Sequence, residues 1–388
     1  MKKEFTFDEF KSFRDDMISM FGADPMNLIS PEDISVSLQE AKAKKHKKQV
    51  FKMSKITLDF DRGLNKRLDK LVQEGLELKD WYTTINSFMF GALGESDGCL
   101  FLLLLASTSP RNMLTMNFIE ASKIFHGIKH DLEHNRDNLS TWMGQQINAN
   151  EFSYDSNEFD LEIIRQMNAT NMADTTSKIK NIRKVIKFFM DSGESISRDS
   201  TIEFLVSKFN LTSDTKKNIL HDDALQSMKV YNFAVNLIYP NFYSKQGNTT
   251  WFFVTIDTWM LRVFFPNITA EESAVYFKDK VKYLELNKKI IDFSKKHGLL
   301  PHQAQASIWT AKLKEEGRDV DSFEKVIDAR IKSMGMVNSG FKTIYEKIRG
   351  AMLEIAKLNY DEDREVNKSD VEVKEPPLFD DMNEEAPF

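Results

Sequence analysis

An unbroken apolar run from Cys99 to Ala106, CLFLLLLA, is the feature that most constrains the fold of this chain. A helix that crosses a bilayer needs about 20 apolar residues, so this run is too short to span one. A segment that is apolar on every side must instead be buried in a protein core. The turn STSPRN and the helical pattern MNFIEASKIF come next, so we predict a buried helix, a short turn and a second helix.

The rest of the chain also favours helices. Only nine Pro and 15 Gly occur among 388 residues, which argues against a turn-rich β architecture, while 30 Phe and 18 Met provide a large core. Between Lys178 and Met190 the apolar residues have helical spacing and predict an inward face, formed by Ile179, Ile182, Ile186 and Phe189. We predict an all-α protein whose length exceeds that of a typical single domain.

Charge is unevenly distributed along the chain. The net charge is −6, but residues 361–388 alone hold 11 acidic and three basic side chains, so residues 1–360 carry 50 basic against 48 acidic ones. Residues 359–388 are also poor in large apolar side chains, which predicts a disordered acidic tail. The densest basic segment is interpreted either as a solvated helix end or as a phosphate-contacting stripe of Lys44, Lys45, Lys47 and Lys48.

Cysteine and histidine usage bears on compartment and metal chemistry. The single cysteine, Cys99, excludes an intramolecular disulfide and a cysteine-based zinc site, and it indicates a reducing compartment. The first ten residues turn acidic at once and lack the apolar core of a signal peptide. We therefore expect a protein of the bacterial or phage-infected host cytoplasm with no membrane partner. His126, His130 and His134 are interpreted as a polar helix face, and we predict no metal and no cofactor.

Three separated blocks resemble the helix-hairpin-helix DNA glycosylase superfamily. The first, Leu100–Phe125, is similar to its early helix pair, in which a buried helix ends in a small-polar turn. The second, Lys178–Phe189, is similar to its Lys-x-x-Asn-Ile segment, which precedes the hairpin. The third consists of MKVYNFAVNLI and FVTIDTWMLRVFF, where Lys229 and Asp257 match the lysine just after the family hairpin and the essential aspartate of a Val-Asp-Thr-His-like element.

The chain departs from the superfamily at three points. Where the family hairpin reads Leu-Pro-Gly-x-Gly, Asp223–Met228 contains no glycine, although glycine lets backbone amides approach a DNA phosphate closely. Tyr243–Thr250 is an apparent insertion between the lysine and the aspartate. Trp259 stands where a histidine often follows the family's Asp-Thr, and iron–sulfur ligands are missing.

The resemblance implies catalytic roles for Asp257 and Lys229. Asp257 would stabilise the positive charge that builds on the sugar when the bond between a base and C1′ breaks, and the alternative is a cap on the helix that follows it. Lys229, once desolvated, would attack C1′ and form a Schiff base, as in lyase-competent glycosylases; the alternative is an exposed lysine without catalytic role. We expect Asp257 and Lys229 to share one cleft.

Other residues are candidates for contacts with DNA. Trp251, Phe252 and Trp259 lie near Asp257 in sequence and are candidates for lining a pocket around a base taken out of the stack, with core packing as the alternative. Arg111 in the STSPRN turn is a candidate DNA contact, because the matching turn of the superfamily meets DNA. A plain surface arginine is the alternative.

Together these features predict a two-lobed, glycosylase-like helical fold. Its parts are an N-terminal helical extension at residues 1–95, a glycosylase-like domain at 96–358 and the acidic tail at 359–388. The predicted function is an enzyme that excises or exchanges a damaged or modified base in DNA. The alternative is a non-catalytic DNA-binding or replication-accessory protein, with the tip PPLFDDMNEEAPF recruiting replication or repair proteins.

Overall fold

The computed structural model describes residues 63–357, except for 111–113, 146–158, 169, 171–175, 210–219, 221–222, 226, 241, 247–248, 269–271, 274–275, 278–279 and 319–321. The acidic tail and Arg111 lie outside the described residues. So do the four lysines of the basic segment, Lys44, Lys45, Lys47 and Lys48.

Helices dominate the described chain, which confirms the predicted helical class. In chain order they are α1 (Leu64–Gly75), α2 (Trp81–Leu93), α3 (Glu95–Thr108), α4 (Leu114–His134), α5 (Arg136–Gly144), α6 (Glu162–Asn168), α7 (Thr176–Asp191), α8 (Arg198–Val206), α9 (Met228–Ile238), α10 (Thr258–Phe264), α11 (Lys280–Lys296), α12 (Pro301–Glu315), α13 (Phe323–Ser333) and α14 (Ile344–Lys357). Short 3-10 turns occur at Leu76–Leu78 and Met336–Asn338.

Helix α3 is the central element of the fold. All of its residues from Gly98 to Thr108 are buried, and it packs against α2, α4, α7 and α9. A helix enclosed on every side has to be apolar all round, which explains the run of leucines and confirms the predicted buried helix. Within the described part of the chain, no helix combines the length and hydropathy that crossing a membrane requires.

The C-terminal end of α3 is fixed by a side chain of the next helix. Asn117 of α4 donates from Nδ2 to the Leu105 carbonyl at 2.8 Å and accepts from the Thr108 hydroxyl at 2.6 Å. These bonds satisfy groups that a helix end leaves unpaired. The backbone that follows, beginning with Ser109, is thereby held in a defined position.

Helices α1 and α2 belong to the same hydrophobic core as the rest of the described chain. Both helices fall within the predicted N-terminal extension at residues 1–95. In the structure, α1 packs along α12, and α2 packs against α3, α9 and α14. At Gly75 the approach of α1 to α12 is so close that a Cβ atom would overlap the carbonyl oxygen of Ser307. Near the other end of α12, Lys70 donates to Glu315 at 2.7 Å.

Helix α7 carries the amphipathic face that its sequence predicts. All four apolar residues named for that face are buried, namely Ile179, Ile182, Ile186 and Phe189. Lys187 on the opposite side is exposed and pairs with Asp191 at 2.9 Å. The helix therefore packs this apolar face against α3 and exposes Lys187 on the opposite side.

A short hairpin occupies the apparent insertion. Strand β1 (Tyr243–Gln246) pairs with β2 (Thr249–Phe252) in an antiparallel arrangement, in which Tyr243 lies opposite Phe252. This hairpin is a local exception to the predicted all-α class. It leads directly into the extended segment Phe253–Asp257, which carries the candidate catalytic aspartate.

Candidate active site

Asp257 is held in a fixed orientation at the start of α10. It has extended backbone dihedrals, and its Oδ1 accepts a hydrogen bond from the backbone N–H of Met260 at 2.9 Å. Its Oδ2 accepts from the indole N–H of Trp309 on α12, also at 2.9 Å. The predicted capping role is therefore present, and a second element holds the other oxygen of the half-buried carboxylate.

Side chains, not a neighbouring strand, hold the segment that leads to Asp257. Asn232 of α9 donates to the Val254 carbonyl at 2.7 Å, and Oδ1 of Asn287 on α11 accepts from the Val254 N–H at 3.1 Å. The hydroxyl of Tyr283, also on α11, accepts from the Ile256 N–H at 2.7 Å. These buried groups satisfy the backbone that a sheet would otherwise pair. We call Asn232, Tyr283 and Asn287 the amide clamp.

Lys229 lies in the first turn of α9 and is half-buried. Its Nζ donates to the carbonyl oxygen of Ser109 at 3.0 Å, just beyond the fixed end of α3. Lys229 is therefore not the exposed lysine of the alternative interpretation. The lysine-bearing helix therefore meets the backbone at the start of the STSPRN turn.

Burial moves both ionisable groups of the site toward their neutral forms. Desolvation lowers the pKa of Lys229, and Lys178 lowers it further, while the charge of Asp257 opposes that shift. Desolvation also raises the pKa of Asp257, against the opposing effects of Lys229, Met260 and Trp309. Each charge affects the other's pKa, so the two predicted catalytic residues lie near one another. Asp257 and Lys229 form their hydrogen bonds with other residues, so the electrostatic effect of each on the other acts through space.

A buried ion pair lies behind the lysine. Lys178 of α7 donates to Glu120 of α4 at 3.0 Å, and their side chains are only 5% and 6% exposed. Lys178 belongs to the second block of the superfamily resemblance. All three blocks therefore contribute charged or polar groups to one region, although their positions in the sequence are far apart.

Aromatic rings surround Trp309 and extend away from the carboxylate. The ring of Trp81 on α2 contacts Trp309 edge to face, with centroids 5.5 Å apart, and it stacks on Phe233 at 6.3 Å. Tyr82 contacts Trp81 at 5.0 Å, and burial together with the charge of Asp257 raises the pKa of the Tyr82 phenol. None of these rings is among the site residues that the sequence predicts.

Several buried polar atoms on α2 and α12 have no hydrogen-bond partner among the described residues. They are Trp81 Nε1, His302 Nε2 and Gln305 Oε1. The His302 ring contacts the Tyr82 ring at 6.2 Å, next to Trp81. Buried polar groups normally have hydrogen-bond partners, so these three atoms are candidates for contacts with a ligand.

The three predicted pocket residues have different environments. Phe252 is buried in the core against Tyr243, with ring centroids 5.9 Å apart, so the core-packing alternative describes it. The backbone of Trp251 lies in β2, but its side chain is outside the described part of the structure. Trp259 is half-buried, and the guanidinium groups of Arg262 and Arg318 lie over its ring.

The backbone just before Lys229 has a conformation that glycine prefers. Ser227 has φ +77° and ψ 123°, and its side chain is exposed. This residue falls within the segment that lacks the family's hairpin glycines. The positive φ is therefore adopted here by a serine and not by glycine, the residue type that adopts it with the least strain.

The site contains a carboxylate, a desolvated amine and aromatic surfaces, which together suit chemistry at an electrophilic carbon. Within the described ranges, no group of three or more His, Cys, Asp or Glu side chains could hold a metal ion. Comparisons with family models, curated proteins and solved structures found no match.

Proposed function

We propose that this chain is a DNA glycosylase-like enzyme that acts on a damaged or modified base and uses Asp257 and Lys229. The observation that carries the proposal is the neighbouring carboxylate and amine, each half-buried and each shifted toward its neutral form. Such shifts are what catalytic acids, bases and nucleophiles need, although structural ion pairs also produce them. The proposed fold is the two-lobed, glycosylase-like arrangement, with its hairpin just before α9.

Asp257 acts on the charge that develops in the sugar. When the bond between the base and C1′ breaks, its electron pair leaves with the base and positive charge builds on the ring. A fixed, ionised carboxylate stabilises that charge without having to reorient, because Met260 and Trp309 already hold both oxygens. A neutral Asp257 could instead give its proton to the departing base.

Lys229 is the proposed nucleophile. Its lowered pKa increases the fraction of neutral amine, whose lone pair forms the bond to C1′ as the base departs. One amine proton then passes to solvent. Rupture of the bond between C1′ and the ring oxygen, which takes up a proton, gives a Schiff base. The hydrogen bond to the Ser109 carbonyl holds the amine in place before reaction.

The aromatic rings and unpartnered polar atoms suit recognition of an extruded base. A base removed from the stack needs flat apolar surface and hydrogen-bonding partners at its edge. Trp81 and Trp309 supply rings, and the indole N–H of Trp81 is a buried donor without a described partner. In this proposal the acidic tail recruits replication or repair proteins, and the enzyme works on DNA in the cytoplasm.

A second candidate function is a non-catalytic DNA-binding or replication-accessory protein. It is favoured by the bonds of Asp257, because both of its oxygens are engaged in holding α10 and α12 together. Such a residue would be retained for structure alone. The two candidates differ in whether the protein releases a base.

The decisive experiment compares Asp257→Asn and Lys229→Gln with the parent protein in base-release assays on DNA containing a panel of common lesions and modified bases. Asp257→Asn keeps an oxygen acceptor but cannot offset the sugar cation, so we expect base release to fall at least 100-fold while DNA binding persists. Lys229→Gln should abolish a covalent DNA adduct that borohydride traps in the parent. The matched controls are Asp199→Asn, at another helix start, and Lys187→Gln, both exposed.

The possible results separate the candidates. If the parent releases a base without a trappable adduct, and Lys229→Gln leaves release unchanged, Asp257 acts through water. If the parent binds DNA but releases no base across the panel, the enzymatic proposal fails and the accessory-protein candidate replaces it. If the control variants lose as much activity as the site variants, the assignment of these residues is wrong.

A further inference from the structure

Two arginines converge on one tryptophan beside the site. The guanidinium carbons of Arg262 and Arg318 lie 4.6 Å and 4.7 Å from the centroid of the Trp259 ring. All three side chains are half-buried. Trp259 follows Asp257 by two residues, and its backbone N–H bonds to the Asp257 carboxylate. The arginine pair is therefore adjacent to the proposed catalytic carboxylate.

Unlike Arg136 and Arg165, these two arginines have no anionic partner among the described residues. Arg136 pairs with Glu194, and Arg165 pairs with Asp160 and with Glu162. The side chains of Arg262 and Arg318 form neither an ion pair nor a hydrogen bond with any residue in the described ranges, although the backbone N–H of Arg318 donates to the Leu313 carbonyl. A cation–π contact contributes only about 0.5–1 kcal/mol at such positions and leaves the charge unneutralised. Two cations that each lie within 4.7 Å of the same ring centroid favour an anionic ligand.

We propose that Arg262, Arg318 and Trp259 form a phosphate-binding site that holds a phosphodiester of the DNA backbone next to the nucleotide at Asp257. The choice of DNA as the source of the phosphate rests on the proposed function. The observation that two guanidinium groups lie over one ring is independent of the proposed function. In this site the Trp259 ring supports two arginines, whereas its position in the sequence predicts that it lines a base pocket.

Guanidinium chemistry favours phosphate over other anions at this position. Each planar guanidinium offers several N–H donors in a fixed fork, which matches the oxygens of a phosphate. Contact with the flat ring of Trp259 restricts both forks before the ligand arrives, which lowers the entropic cost of binding. A ring already covered by guanidinium also offers less surface on which a base can stack. Backbone contacts of this kind position DNA, and other groups recognise the base.

The test measures DNA affinity as a function of salt for the double variant Arg262→Gln/Arg318→Gln. Fluorescence anisotropy with labelled 20-nucleotide single and double strands gives Kd at several salt concentrations. Loss of a phosphate contact should lower the slope of log Kd against log salt by about one and weaken binding about tenfold at low salt. Arg136→Gln/Arg165→Gln, which removes the same charge from paired arginines, is the matched control and should leave the slope closer to that of the parent.

Two further measurements identify the ligand source and exclude a purely structural role. Thermal unfolding with inorganic phosphate, against chloride at equal ionic strength, should stabilise the parent more than the double variant. Arg262→Lys/Arg318→Lys keeps the charge but not the forks and should recover only part of the affinity. Asp257→Asn should lose base release but keep the salt slope of the parent, whereas the double variant should lower that slope, so the two proposals fail separately.

Several results would overturn the inference. An unchanged Kd and salt slope in the double variant, with lower thermal stability, would mean that the arginines only pack on Trp259. Equal losses in the control pair would mean that general charge is responsible. Stabilisation by inorganic phosphate in a parent that does not bind DNA would make free phosphate the ligand and remove the assignment to DNA.

Discussion

The amide clamp offers a direct test of how Asp257 is held. In Asn287→Ala, the buried N–H of Val254 loses its acceptor, now at 3.1 Å, and Asn232 loses one of its two acceptors. An unsatisfied buried N–H costs about 1–3 kcal/mol, and removal of the side chain leaves a small cavity. We therefore expect the free energy of unfolding to fall by about 3 kcal/mol in urea titrations, with an unchanged m-value.

A local measurement separates this mechanism from general destabilisation. Hydrogen exchange at the Val254 amide should accelerate more than exchange within α3, because the mutation removes the acceptor of that particular N–H. Asn138→Ala removes an exposed side chain that also donates to a backbone carbonyl, at 3.1 Å, and should change stability by less than about 0.5 kcal/mol. A loss below about 1 kcal/mol in Asn287→Ala, with normal protection of Val254, would refute the argument that side chains replace a strand here.

Three other perturbations have defined outcomes. Ser227→Gly should raise the free energy of unfolding in urea by about 1 kcal/mol by relieving its positive φ, whereas no gain would mean that this backbone is not strained. Burial lowers the pKa of His302 to about 3, so as the pH falls below about 6.5 the unfolded chain binds a proton that the folded chain does not bind. This difference should destabilise the parent by about 2 kcal/mol at pH 5, and His302→Gln should remove that loss. An equal loss of stability in acid in both proteins would contradict this. Trp309→Phe removes a donor to the ionised Asp257 and should raise the pKa of that carboxyl further, as measured by carboxyl-carbon NMR titration, and an unchanged titration would contradict this.

Local patterns predicted the features that depend on local sequence. The apolar run from Cys99 identified α3 because a helix buried on all sides leaves a continuous hydrophobic signature. The immediate neighbours of Asp257 predict a helix cap, whereas its catalytic role was implied only by the resemblance of the FVTIDTWMLRVFF element to the superfamily. The hairpin was overlooked, although Gly247-Asn248 between residues of high β propensity is a recognised signal for a tight turn.

The remaining parts of the site depend on tertiary packing. Trp309 bonds to Asp257 across 52 residues, and Lys229 bonds to Ser109 across 120. Residue type alone does not select Trp309 or Ser109 from the other tryptophans and serines of the chain. Ala304, Ile308 and Leu313 have a spacing that indicates a packed helix around Trp309, but nothing in that spacing connects Trp309 with Asp257. The pKa shifts of Asp257 and Lys229 could not be inferred either, because they depend on burial by those distant elements.

The close packing of α1 on α12 has a consequence for how the chain acquires its structure. Lys70 and Glu315 are 245 positions apart, and α1 has its most extensive interface with α12. Contacts at such long sequence separation slow folding, because loop-closure entropy is lost before the contacts form. During synthesis, α1 leaves the ribosome long before its partner helix exists. We expect its apolar face, which includes Leu68 and Leu71, to remain exposed until α12 is made, so early release of the chain would favour aggregation.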